Sequence, residues 1–174
     1  MLSTTRRQAA IGYSRRTVEV VTAPAGVKLD VDIVIGERKE AEEQAQGERR
    51  GLRIFVDGSR LSSGASGCAV VWKDGDQWRD TRVHAGYNQE AYGTECMALV
   101  RTLEVAASRR TAPEAVTIFS DFQAAIGRMA SSELGPGQKH AILAREWIAK
   151  LKGRKPDVQI EIRWCPGPLR NRGK

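Results

Sequence analysis

The pattern of apolar and polar residues predicts a series of strands and helices from residue 53 onward. Near the end of the chain, Val158, Ile160, Ile162 and Trp164 alternate with polar residues, which is the period of a half-buried strand. The remaining elements are short apolar strands over 53–57, 67–72, 77–86 and 116–120, and helices over 94–108, 122–130 and 138–151. The first three strands form an antiparallel meander, with an Asp-Gly hairpin turn at residues 73–76. This order predicts a mixed α/β fold, a five-stranded sheet with helices on its faces.

Residues 1–50 have a different character. Two short valine-rich runs, 18–21 and 31–34, hint at strands, with a turn at 23–26 between them. The charged run 37–50 contains helix-forming residues but almost no apolar stripe, which is typical of a solvated helix or a linker outside the core. We therefore predict a boundary near residues 47–51, with a partly extended, charged or disordered segment before it and one domain over 51–174, ending in a basic tail at 165–174.

Composition narrows the class of protein. The chain of 174 residues is 41% hydrophobic and 28% charged, as in ordinary soluble domains, and has no apolar run long enough to cross a bilayer. A net charge of +7 favours a polyanionic partner such as nucleic acid, although basic surfaces also simply keep proteins soluble. Three widely spaced cysteines, Cys68, Cys96 and Cys165, argue against a disulfide framework and favour a reducing, intracellular compartment, cytoplasmic or nuclear.

Three acids are predicted to meet at one edge of the sheet. Asp57 ends the first strand of the domain, where Gly58-Ser59 are predicted to turn, and Asp121 ends the fourth. If these strands are parallel neighbours, their carboxyl ends lie side by side. Glu95 belongs to the first turn of the predicted crossover helix, with its Cβ on the face turned to the sheet. Such a trio suits Mg²⁺ or Mn²⁺, which take oxygen ligands.

Each acid also has an ordinary structural interpretation. Asp57 before Gly-Ser could only shape a turn, Glu95 could favour the positive end of its helix, and Asp121 could cap the following helix. Taken together and in this order, the three acids favour the metal-binding interpretation.

The stretches IFVDGSR, YGTECMALVRTLEVA, TIFSDFQAAI and IEIRWCPG resemble, in order and spacing, the type 1 ribonuclease H domain of retrotransposon polyproteins. The likeness covers residues 52–167. Residues 11–40 are similar, more weakly, to the connector that follows the reverse transcriptase in non-LTR retrotransposons, which implies a parent polyprotein with a reverse transcriptase domain.

The resemblance implies an enzyme that hydrolyses the RNA strand of an RNA–DNA hybrid with two Mg²⁺ (or Mn²⁺) ions. It makes Asp57 the ligand that bridges both ions, and Glu95 and Asp121 further ligands. Ser59 and Gln123 match positions that contact the hybrid, and Asn88 and Gln89 are additional candidates for nucleic-acid binding. For these four residues, ordinary turn and cap chemistry remains an equal alternative.

The sequence departs from the family pattern after Trp164-Cys165-Pro166-Gly167. Pro168 stands where the family has a histidine, and no acid follows Glu161, so the fourth metal-binding carboxylate and the last helix are absent from this sequence. We therefore expect a truncated domain with part of its core uncovered and with impaired or absent cleavage. A second hypothesis is a non-catalytic remnant that binds hybrid or duplex. A third, a transposase- or integrase-like protein, agrees less well with the DGS, SDFQ and WCPG motifs.

Overall fold

The computed structural model describes residues 4–7, 18–21, 30–60, 63–87 and 90–167, and for residues 4–7, 18–21 and 57–60 it describes the backbone alone. The elements are β1 (Thr4–Arg7), β2 (Val18–Val21), β3 (Asp32–Val34), α1 (Arg38–Gln46), β4 (Leu52–Arg60), β5 (Ala65–Asp74), β6 (Gln77–Tyr87), α2 (Ala91–Ala107), β7 (Ala115–Ser120), α3 (Gln123–Ala130), α4 (Gln138–Arg154) and β8 (Gln159–Trp164). Strands β1 and β2 form an antiparallel pair.

The main sheet has six strands in the order β3-β8-β7-β4-β5-β6. Strands β4, β5 and β6 are the predicted antiparallel meander, while β7 and β8 run parallel to β4. The predicted mixed α/β architecture is confirmed. The count of five strands was short by one, because β3 pairs in parallel with β8, from Asp32 opposite Glu161 to Val34 opposite Arg163.

Strand β4 is longer than its sequence suggests. A turn was predicted at Gly58-Ser59, but these two residues continue the strand to Arg60. Gly58 lies opposite Cys68 on β5, and Ser59 lies opposite Gly67. Hydrogen bonding to the neighbouring strand has overridden the turn preference of the Gly-Ser pair. The predicted hairpin turn joins β5 to β6, but its two loop residues are Gly75 and Asp76 rather than Asp74 and Gly75, because Asp74 still pairs with Gln77. Gly75 has φ +60°.

The main core lies between the sheet and the helices α2, α3 and α4. Its fully buried members include Ile54 and Val70 from the sheet, Leu99 and Leu103 from α2, and Ile126 from α3. Since these positions carry the apolar stripes of the sequence, the packing follows directly from the predicted amphipathic faces. None of the helices in the described ranges is long and apolar enough to cross a membrane.

Helix α1 packs on the opposite face of the sheet, so the prediction that residues 37–50 lie outside the core was wrong. Ala45 has no exposed surface and forms a second buried cluster with Phe55, Phe119 and Cys165. The two phenylalanine rings stack at 4.9 Å, and both are buried. This part of the face is therefore covered, although we expected part of the core to be uncovered.

Two arginines attach this helical segment to the sheet. Arg53 of β4 donates a hydrogen bond of 2.6 Å to the carbonyl of Ala45, which is one of the carbonyls left open at the end of α1. Arg49 forms an ion pair of 2.7 Å with Glu161 of β8 and a hydrogen bond to Gln44. The domain boundary near residues 47–51 stays a prediction, but β3 is a strand of the same sheet as the elements that follow, and α1 packs on that sheet.

Candidate active site

The parallel pairing of β4 and β7 brings two of the predicted acids to the same edge of the sheet. The pairing runs in register from Leu52 opposite Val116 to Phe55 opposite Phe119. Asp57 and Asp121 each lie two residues beyond the last matched pair, toward the carboxyl ends of the strands. The expected adjacency of the two strands is confirmed. The Asp57 side chain lies outside the description, so the grouping of the three carboxylates stays a prediction.

Asp121 is exposed directly after β7. Its carbonyl accepts a hydrogen bond of 3.1 Å from Trp164 Nε1, and the Phe122 N–H donates to Ser120 Oγ at 3.2 Å. Helix α3 begins at Gln123, and Phe122 occupies its N-cap position. Asp121 therefore precedes the cap, which weakens the interpretation that it serves only to cap α3.

Gly167 lies against the Asp121 carboxylate. A Cβ built on Gly167 would lie 2.7 Å from Asp121 Oδ2 and 3.6 Å from Cγ, closer than side chains tolerate. The chain reaches this point because the Cys165 N–H donates to the Ser120 carbonyl at 2.8 Å, which extends the pairing of β7 and β8 by one residue. Only glycine leaves the carboxylate in its present place. The WCPG motif is evident in the sequence, but this role of Gly167 is not.

Glu95 is a buried carboxylate, 7% exposed, on the face of α2 that packs on the sheet. Ala98 and Leu99, three and four residues further on, are also buried, which confirms the predicted orientation of this face. The helix begins at Ala91, three residues earlier than predicted, so Glu95 lies beyond the first turn rather than within it. A buried position past the first turn argues against a role limited to the helix dipole, whose effect fades within that turn.

The pKa values of two buried cysteine thiols, Cys68 and Cys96, are raised, and the Glu95 carboxylate contributes to both shifts. Burial, reinforced by the Glu95 carboxylate, raises the pKa of the Cys68 thiol to about 11. Burial also raises the pKa of Cys96 to about 11. Cys68 pairs with Gly58, the residue after Asp57. The effect of Glu95 on the Cys68 pKa therefore indicates that Glu95 faces the strand positions close to Asp57. Cys68, Cys96 and Cys165 are all buried.

The predicted nucleic-acid contacts are only partly described. Gln123 is exposed at the first position of α3, two residues after Asp121. Ser59 is described in its backbone alone, and Asn88 and Gln89 lie outside the described residues. Their roles stay predictions.

The donor set suits a hard divalent cation. Carboxylate oxygens are the ligands that Mg²⁺ and Mn²⁺ prefer, and a carboxylate as buried as Glu95 is electrostatically costly unless a cation or hydrogen-bond donors compensate it. Among the residues whose side chains are described, which exclude Asp57, no group of three or more His, Cys, Asp or Glu could hold a metal ion.

No family model and no curated protein sequence matches this chain. Solved structures do match it. Ribonuclease H1 from the archaeon Halobacterium salinarum NRC-1 is 16% identical, with a TM-score of 0.50 over 68% of this chain and 86% of that one. The N-terminal ribonuclease H domain of a Mycobacterium tuberculosis protein is 15% identical, with a TM-score of 0.50 over 67% and 86% of the two chains.

A third match is LC11-RNase H1, solved in complex with an RNA/DNA hybrid. It is 21% identical, with a TM-score of 0.50 over 66% of this chain and 85% of that one. At these identities the likeness concerns the fold alone. The chain has a ribonuclease H-like fold, as the sequence motifs predicted.

Proposed function

We propose that this protein is a ribonuclease H-type endonuclease that hydrolyses the RNA strand of RNA–DNA hybrids. The observation that carries the proposal is the parallel register of β4 and β7, which brings Asp57 and Asp121 to the same edge of the sheet. The buried Glu95, whose charge acts on the strand position paired with Gly58, supports it. The ribonuclease H-like fold adds support, and one protein with this fold was solved with an RNA/DNA hybrid.

In this proposal the three carboxylates hold two divalent ions. When bound, such a pair would supply an activated water and stabilise the leaving oxygen. The protein would contribute the ligands: Asp57 as the shared ligand, and Glu95 and Asp121 as the further ligands. The absence of a side chain at Gly167 leaves room for the Asp121 carboxylate.

The remaining predicted residues would recognise the hybrid. We propose that Ser59, Asn88, Gln89 and Gln123 contact its sugars and phosphates, where the 2′-hydroxyl distinguishes RNA from DNA. A net charge of +7 favours binding to the phosphate backbone. From the motif resemblance we also propose an intracellular parent polyprotein with a reverse transcriptase domain.

Cleavage of a labelled hybrid tests the proposal. A 5′-labelled RNA annealed to DNA is incubated with the protein and Mn²⁺, and the products are resolved on a denaturing gel. Because the sequence predicts an impaired site, we expect slow cleavage, which is lost in Asp57→Asn and Glu95→Gln. The matched controls are Asp76→Asn in the exposed β5–β6 turn and Glu146→Gln on the exposed side of α4, which should cleave like the unmodified protein.

Two results would argue against the enzyme. Cleavage that persists in Asp57→Asn would show a contaminating nuclease or another site. Salt-sensitive binding of the hybrid without any cleavage would favour the second hypothesis, a non-catalytic nucleic-acid-binding protein. The basic composition is the observation that keeps this alternative in view.

A further inference from the structure

A cleft lies on the face of the sheet that α1 partly covers, close to the β5–β6 turn. Its volume is about 410 Å³, within the range of about 300–1,000 Å³ common for small-ligand sites. The cleft, named the Trp78 cleft, is lined by Glu48, Arg49, Gly51, Arg53, Phe55, Lys73, Gly75 and Trp78. On β5, Lys73 lies four residues from Ala69, the partner of Asp57. At about 3.3 Å per residue, the cleft is roughly 13 Å along the strand from the proposed catalytic edge.

The cleft offers an aromatic surface that is open to solvent yet firmly placed. Trp78 is 42% exposed, an unusual exposure for so large an apolar side chain. Its ring lies 6.1 Å from that of Phe55, tilted by 54°, and Phe55 in turn stacks on the buried Phe119. The Trp78 indole therefore packs against Phe55, which restricts its motion before any ligand binds. A planar ligand that stacks on it then costs less side-chain conformational entropy.

The charged side chains around the cleft favour an anionic ligand, and the Lys73 ammonium is exposed to bind it. Arg49 is paired with Glu161, and the Arg53 guanidinium lies over the Phe55 ring at 5.4 Å. Lys73 is exposed, lies opposite Trp78 on the neighbouring strand, and makes no ion pair within the described part of the chain. Glu48 is the one acid that lines the cleft.

The next acid along the same face of β6 is Asp80, which Arg82 balances at 3.4 Å. Three cations, Arg49, Arg53 and Lys73, line the cleft against the single lining acid Glu48, so the charge balance of the described lining is positive.

We propose that the Trp78 cleft binds a nucleotide of single-stranded nucleic acid, with its base stacked on Trp78 and its phosphate at the Lys73 ammonium. Aromatic side chains combined with a positively charged groove are the means by which proteins hold single strands without reading their sequence. The site is separate from the proposed hydrolytic site and does not depend on its metal ions.

Fluorescence anisotropy of a labelled oligo(dT) in EDTA tests this site, because removing divalent ions silences the proposed catalytic centre. We expect Trp78→Leu to weaken binding by about fivefold or more, the usual effect of losing one stacked base. Lys73→Gln should weaken binding and reduce the slope of log K against log salt by about 0.7, the value for one phosphate contact on a single strand. Hybrid cleavage should be unchanged in both variants.

The matched control is Lys150→Gln. Lys150 lies 4.1 Å above the Trp147 ring on α4, so it is another lysine beside a tryptophan, outside the cleft. Its replacement should leave oligo(dT) binding and the salt slope unchanged. Because Lys73 is exposed, Lys73→Gln keeps the test valid if Trp78→Leu lowers stability.

Absence of oligo(dT) binding in the unmodified protein would overturn the proposal. Equal losses in Lys73→Gln and Lys150→Gln would also overturn it, since they would show diffuse charge attraction. Both outcomes leave the hydrolytic proposal untouched, because that rests on Asp57 and on hybrid cleavage.

Discussion

Replacing Gly167 by alanine tests how closely the chain after β8 controls the Asp121 carboxylate. The new Cβ would lie 2.7 Å from Asp121 Oδ2, whereas an ordinary contact begins near 3.4 Å. The difference means that the carboxylate must move by about 0.7 Å. The obstructing atom is the end of an exposed side chain, so the carboxylate can move without disturbing the backbone. We therefore expect a functional effect with almost no change in folding stability.

The size of that effect follows from the displacement. Holding a side chain about 30° off its preferred rotamer costs about 0.5–1.5 kcal/mol, which corresponds to a loss of about two- to tenfold in metal affinity. Misplacement by about 1 Å can slow a reaction by about 100-fold. For Gly167→Ala we expect Mn²⁺ binding to weaken by about two- to tenfold, with hybrid cleavage slowed by up to about 100-fold.

The assay pairs a Mn²⁺ titration with urea unfolding of Gly167→Ala, and Gly153→Ala is the control. Gly153 lies in α4, and a Cβ there would have no atom within 4 Å. Its replacement should add up to about 1 kcal/mol of stability through helix propensity and leave Mn²⁺ affinity unchanged. Unchanged Mn²⁺ affinity in Gly167→Ala would refute the inferred contact between Gly167 and the metal site.

Two further predictions concern stability. Ala45→Leu should overpack the cluster under α1 and lower the free energy of unfolding by about 1–3 kcal/mol, whereas Gln46→Leu, on the exposed side, should change it by less than about 0.5 kcal/mol. Equal urea midpoints for these two variants would show that α1 is not docked. The pKa values of the Cys68 and Cys96 thiols are raised by burial to about 11. Between about pH 9 and 11 both thiols therefore stay protonated in the folded state and ionise in the unfolded state, so their contribution to the free energy of unfolding falls as the pH rises. This contribution is complete below pH 9 and is lost between pH 9 and 11, at about 1.4 kcal/mol per pH unit for each thiol. In Cys68→Ala the free energy of unfolding, measured with urea, should fall less steeply between pH 9 and 11, by about 1.4 kcal/mol per pH unit. An unchanged slope would contradict the burial of the Cys68 thiol.

The sequence predicts most of the fold because each element carries its own periodic signal. The alternation over 158–164 and the stripe over 138–151 are decided by residues within the element, and the structure places β8 and α4 there. The extension of β4 through Gly58-Ser59 was missed because its stability comes from hydrogen bonds to β5, a partner that local propensity does not reveal.

The docking of α1 was missed for a related reason. Its buried face consists of Ala41 and Ala45 in an otherwise charged run, and alanines give almost no apolar stripe. What makes the face bury is the flat surface of Phe55 and Phe119 opposite Ala45. The Trp78 cleft is likewise invisible in the sequence, since it arises only from the antiparallel pairing of β5 with β6 and from the return of residues 48–53 beside them.

The positions of two candidate acids in the fold were predictable, and their surroundings were not. Glu95 lies within α2 and Asp121 directly after β7, two elements that their own sequences define. The approach of Gly167 to Asp121 depends on the pairing of β7 with β8, which joins residues far apart in the chain.

The most direct test of the central claim is the binding of Mn²⁺, followed by electron paramagnetic resonance, in Asp57→Asn, Glu95→Gln and Asp121→Asn, with Asp76→Asn and Glu146→Gln as controls. We predict that each of the three substitutions weakens Mn²⁺ binding strongly, while both controls bind like the unmodified protein. Mn²⁺ affinity that is the same in all five variants would contradict a shared metal site at the edge of β4 and β7.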